Sequence, residues 1–131
     1  MDRLFLDANV LFSVAYRHAA GLLQLWKLRD VMLCSSRYAL EEARINLAEE
    51  HQRRRLNRLS EKVQLFEAAR RELPRGISLP EKDVPILLAA IQAGSTHLLT
   101  GDVRHFGSYF GKKIEGVAIV LPGDYLRNRQ A

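Results

Sequence analysis

The chain opens with Leu4, Phe5 and Leu6, an unbroken apolar run that ends at Asp7. Such a run predicts a short strand buried on both faces. From about Val10 to Arg29, Leu11, Val14, Leu22, Leu25 and Trp26 keep helical spacing with a break near Ala19–Gly21, which predicts one short helix followed by another. "VMLC" at 31–34 predicts a second buried strand, and Ser35 or Ser36 is placed to cap a helix through Ala39, Leu40, Ala43 and Leu47. Between Gln52 and Leu73 the residues Leu56, Leu59, Val63 and Phe66 recur at spacings of three, four and three. That is the apolar seam of a helix, which Pro74 and Gly76 would end. "ISL" at 77–79 reads as a third short strand, and Pro80 leads into a helix carrying Ile86, Leu87, Ala90 and Ile91 that stops at Gly94. "THLLT" at 96–100 and "VAIVL" at 117–121 supply a fourth and fifth strand, with a loop or short helix between them and a short helix at the end. Buried strands alternating with helices predict an α/β fold with a mainly parallel sheet of about five strands. No repeat, low-complexity tract or linker interrupts the pattern, so one domain over residues 1–131 is expected.

Composition narrows the class. At 47% hydrophobic the chain can fill a continuous core, and no apolar run approaches the roughly 18 residues of a membrane span. "MDRLFLDANVLF" carries an acid inside its apolar run, unlike a secretory signal, so a cytoplasmic protein is expected. The single cysteine, Cys34, lies in an apolar run and reads as a small core residue. Twenty basic residues against fifteen acidic give a net charge of +5. A basic surface favours polyanions, because neutralising phosphates releases condensed counterions.

In a parallel sheet the ligand site lies beyond the carboxyl ends of the strands, so the polar residues there matter most. Asp7 directly follows the first strand, and Asp102 follows "HLLTG" at the end of the fourth. Glu42 lies in the second turn of the helix entered from the second strand, and Asp83 opens the helix that precedes the fourth. Each acid alone also fits a turn or capping role. Gathered together, four carboxylates repel one another and need cations to compensate them. Hard ions with oxygen ligands, Mg²⁺ or Mn²⁺, suit such a set. Histidines at 18, 51, 97 and 105 and one cysteine form no zinc set of helical spacing.

"LFLDANVLF", "SSRYALEEARINL", "EKDVPILLAAIQAGSTHLLTGDVRHFG" and "VAIVLPGDYL", in this order, resemble the PIN domain, the nuclease module of VapC-type toxins and of several RNA-processing factors. The resemblance covers nearly the whole chain and is strongest over residues 83 to 106. It implies a PIN-like α/β/α sandwich and a metal-dependent endoribonuclease hydrolysing RNA phosphodiester bonds, with one or two Mg²⁺ or Mn²⁺ ions. The acidic quartet would be Asp7, Glu42, Asp83 and Asp102, serving as catalytic groups and metal ligands. Glu41, about 100° away on the same helix, is the alternative to Glu42. Asn9 and Thr100 match polar positions near the site and are supporting candidates. His105 and Phe106 also match, His105 with a structural or exposed role expected and Phe106 with a packing role. A VapC-type toxin would bring an antitoxin protein that occludes the acidic site and often a homodimer; the alternatives are an RNA-processing nuclease or a PIN module serving as an RNA-binding scaffold.

The segment "HQRRRLNRLSEK" places Arg53, Arg54, Arg55 and Arg58 within about two helical turns. Arg53, Arg54 and Arg58 are candidates for an RNA-phosphate track, against a solvated face paired with Glu49, Glu50 and Glu61. Arg104, Lys112 and Lys113 follow Asp102 in sequence and are further RNA-binding candidates. Other enzymes fit less well. A haloacid dehalogenase-like phosphatase typically carries Asp-x-Asp at its first strand, where this chain has Asp7-x-Asn9, and no phosphate-binding glycine motif occurs.

Overall fold

The computed structural model describes residues 1–17 and 20–130. Its strands are β1 (Asp2–Leu6), β2 (Val31–Ser36), β3 (Val63–Phe66), β4 (His97–Leu99), β5 (Lys113–Ile114) and β6 (Val117–Val120). The helices are α1 (Ala8–Tyr16), α2 (Ala20–Leu23), α3 (Arg37–Ile45), α4 (Glu50–Ser60), α5 (Val84–Gln92), α6 (Val103–Phe106) and α7 (Pro122–Gln130). Together they make an α/β fold in which helices flank a six-stranded sheet of order β3-β2-β1-β4-β6-β5. All neighbours run parallel except β5, which is antiparallel to β6. Leu4, Phe5 and Leu6 have no exposed surface, as a central strand covered on both faces requires.

The order places β1 at a reversal. The chain leaves β1 toward β2 and β3 on one side, then returns to β4 on the other. Asp7 N donates to the Leu99 carbonyl at 3.1 Å, so β1 and β4 stay joined past their last ladder residues. A crevice opens where the order turns back, between the carboxyl ends of β1 and β4.

Two expected elements are corrected. The helix predicted over Gln52–Leu73 ends at Ser60, and Val63–Phe66 is a strand paired in parallel with β2, Val63 beside Leu33 and Phe66 beside Ser36. Spacing alone suited a helix, but Val63 reaches burial by docking on a strand distant in sequence, which local periodicity does not register. "ISL" at 77–79 is not a strand: Ile77 N closes a turn on the Pro74 carbonyl, and Ser78 N donates to the Tyr109 hydroxyl rather than to a ladder carbonyl. The expected strand count of about five becomes six, because β3 replaces that segment and the two-residue β5 adds an edge. Among the described residues no helix is long and apolar enough to cross a membrane. His18 and Ala19, at the predicted break after the first helix, lie outside the described residues.

Candidate active site

Four elements deliver one acid each to the crevice. Asp7 ends β1 and caps α1, its Oδ1 accepting from Ala8 N at 2.6 Å. Asp102 caps α6, its Oδ1 accepting from His105 N at 3.0 Å. Glu42 stands in the second turn of α3, whose entry is fixed by the Ser36 hydroxyl accepting from Ala39 N. Asp83 closes the 3₁₀ turn Glu81–Asp83 and occupies the cap position of α5, yet its side chain makes no capping hydrogen bond. Capping therefore accounts for where Asp7 and Asp102 sit, and not for Asp83. All four line one cleft of about 410 Å³ together with Asn9, Phe12, Asn46 and Lys82. Glu41 turns outward, where its carboxylate accepts from the Arg44 side chain at 3.3 Å.

A hydrogen-bond network holds the β1 and β4 ends in register. Thr100, fully buried, donates from its hydroxyl to Asp7 Oδ2 at 2.8 Å. The same oxygen of Thr100 accepts from Asp102 N at 3.0 Å and from Asn9 Nδ2 at 3.2 Å. Asn9 Nδ2 also reaches Asp7 Oδ2 at 3.2 Å, while its Oδ1 accepts from Gly101 N at 2.9 Å. Asn9 and Thr100 thus orient two of the acids through their own satisfied polar atoms.

Burial dominates the electrostatics of the site, with a smaller push from neighbouring carboxylates. Burial pushes the Asp7 pKa from its ordinary 3.8 up to about 6; the Asp83 and Glu42 charges add to that, and the hydrogen bonds from Thr100 and Ala8 oppose it. Burial also raises Asp83, with the Asp102 charge in the same direction and His105 and Lys82 against it. His105 Nδ1 lies 2.8 Å from an oxygen of both Asp83 and Asp102. Neither approach has hydrogen-bond alignment, for Asp83 Oδ2 and His105 Nδ1 are both buried without a partner. An orphaned buried carboxylate oxygen is costly unless something compensates it. Ligand atoms of Asp83, Asp102 and His105 fall within 4.8 Å of one another. This oxygen-rich set fits a divalent ion.

Not every expected residue reaches the cleft. Arg53 donates to the Leu47 carbonyl at 2.6 Å, and Arg54 pairs with Glu50 one turn away. Neither they nor Arg58 line the cleft. Arg104 is exposed on α6, next to the capping Asp102. Lys113 pairs with Ala118, itself beside His97, so it stands where β4 and β6 begin rather than where they end. Its charge there helps lower the His97 pKa, behind burial and against the Asp2 charge. Closeness to Asp102 in sequence therefore misplaces Lys113, because the chain turns back before it. Lys82, Asn46 and Phe12 line the cleft without having been singled out. Asn46 had a signal, since it follows Glu42 by four residues on one helical face. Lys82 had none beyond adjacency to Asp83.

No relative matches the chain among curated proteins. A family model for the PIN domain, a nuclease-type fold, matches residues 3–104. That match takes in β1 through the start of α6, and with it all four acids. The chain belongs to the PIN-domain family.

Proposed function

We propose that this protein is a metal-dependent endoribonuclease that hydrolyses RNA phosphodiester bonds at the cleft of Asp7, Glu42, Asp83 and Asp102. The observation that carries the proposal is the meeting of four carboxylates from separate elements, one of them with a buried oxygen that no protein donor satisfies. Asp7, Glu42, Asp83 and Asp102 would hold one or two Mg²⁺ or Mn²⁺ ions, with His105 beside two of them. When bound, such an ion supplies Lewis-acid charge for the scissile phosphate and activates water for attack. The chain's own residues do the rest. Thr100 and Asn9 fix the Asp7 carboxylate and the backbone before Asp102. Lys82 brings a cation to the cleft, where it meets a phosphate oxygen. No side-chain nucleophile is required, in keeping with a cleft that contains neither serine nor cysteine. The resemblance supports the further reading that the protein is the toxin of a VapC-type pair, whose antitoxin would cover this cleft and which would act as a homodimer in the cytoplasm.

Cleavage of single-stranded RNA with Mn²⁺ or Mg²⁺, against a chelator control, tests the assignment. Asp7→Asn and Asp102→Asn are each expected to lose at least about 100-fold in rate. Glu42→Gln should lose comparably, whereas Glu41→Gln, which removes only an exposed pair with Arg44, should stay within about two-fold. Undiminished cleavage in both aspartate variants would overturn the site, and cleavage that persists in chelator would overturn the metal.

A further inference from the structure

Tyr38 is the second residue of α3 and precedes Glu42 by one turn on the same face. It keeps 42% of its surface exposed. Its hydroxyl donates to the Lys82 carbonyl at 2.7 Å. The ring therefore spans from the start of α3 to the 3₁₀ turn Glu81–Asp83, two elements that each deliver a carboxylate to the cleft. Burial raises the phenol pKa, and the charges of Glu42, Asp83, Asp7 and Glu81 raise it further. The bond to Lys82, the residue before Asp83, and the position one turn before Glu42 set the ring beside two members of the quartet.

An exposed aromatic face tethered at its far end loses little freedom when a planar group settles on it. The cleft beside it is rich in negative charge, and a polyanionic strand crossing such a cleft gains from an uncharged contact next to it. Stacking of a base on an aromatic ring is that kind of contact, and it is open only to bases not already stacked in a duplex. A side-chain cation lining the cleft belongs to Lys82, the residue whose carbonyl anchors the ring.

We propose that Tyr38 is a stacking platform for one base of a single-stranded RNA, next to the phosphate positioned at the acidic cleft. This deepens the ribonuclease reading and rests on it. The competing role is a strut, in which the hydroxyl bond to Lys82 merely holds α3 against the 3₁₀ turn and so sets the spacing of Glu42 and Asp83. Phenylalanine separates the two, because it keeps the face and loses the bond.

Steady-state cleavage of a short single-stranded oligoribonucleotide by the wild type, Tyr38→Phe and Tyr38→Ala, with melting temperatures of all three, decides between them. The platform requires Tyr38→Ala to raise KM at least about five-fold with kcat within about two-fold, and Tyr38→Phe to keep both within about two-fold. An unchanged KM in Tyr38→Ala overturns it. So does a loss of kcat or melting temperature shared by both variants, which is the mark of a strut. If the wild type cleaves no RNA, the ribonuclease reading itself fails and the platform with it; if the wild type cleaves and the variants do not separate in KM, only the platform fails.

Discussion

Asp7 concentrates the conflict between stability and chemistry in one side chain. Only 4% of its surface is exposed, and its pKa stands near 6 against an ordinary 3.8. The folded chain therefore holds this proton more tightly than the unfolded chain does. Between pH 3.8 and about 6 the native state binds more protons, so stability falls as pH rises through that window and stays lower above it. The cost is about 3 kcal/mol in the absence of a cation. Asp7→Asn removes the charge and keeps the shape. In chelator at pH 8 this variant is expected to melt a few degrees above the wild type, with the gain gone by pH 4, where the native carboxyl is itself neutral. Thermal melts across that range check it. A variant less stable at every pH would show that the hydrogen bonds from Ala8 and Thr100 to the carboxylate outweigh its burial. Asp7 and Asp102 were legible because strand ends announce themselves in a run of apolar residues. The placement of His105 between Asp83 and Asp102 was not, since it depends on α5 and α6 meeting in space.

α4 shows how the same residues can carry a structural and a functional reading. Arg53, Arg54 and Arg58 read as a phosphate track, yet Arg53 serves the fold by donating to the Leu47 carbonyl, as does the neighbouring Arg55, which donates to the Ala15 carbonyl at 2.8 Å and ties α4 to α1. Leu56, with no exposed surface, is the apolar counterpart of those ties. Leu56→Ala is expected to destabilise by about 2–5 kcal/mol. Ile45→Ala, at a position 71% exposed on α3, should stay within about 0.5 kcal/mol. Denaturant unfolding of the two variants measures the contrast, and equal costs would mean that α4 is not anchored through its buried seam. The helix itself was legible from that seam, but its end was not. A helix through Val63 and Phe66 and a strand at Val63–Phe66 satisfy the same apolar positions, and only pairing with β2 chooses between them. β1, β2, β4 and β6 were legible because their apolar runs are bounded by polar or turn residues at strand length, too short for a helix.

Across the whole molecule, a chain of net charge +5 brings four of its fifteen acids to one cleft, the crevice between β1 and β4. Such an arrangement is self-repelling in the apo state and is relieved by whatever cation enters. Binding to the native state alone stabilises it by RT ln(1 + [L]/Kd), about 2.7 kcal/mol at a hundred-fold excess over Kd. Mg²⁺ or Mn²⁺ should therefore raise the melting temperature in proportion to the logarithm of its concentration. The shift carries a pH signature as well. Below about 6 the ion must displace the proton on Asp7, so stabilisation should be weaker at pH 5 than at pH 8. Asp83→Asn, which removes the charge bearing the unpartnered oxygen, should weaken the shift at both pH values. A melting temperature indifferent to both ions at pH 8 would mean that the four carboxylates form no cation site, and that Lys82 and His105 suffice to hold them together.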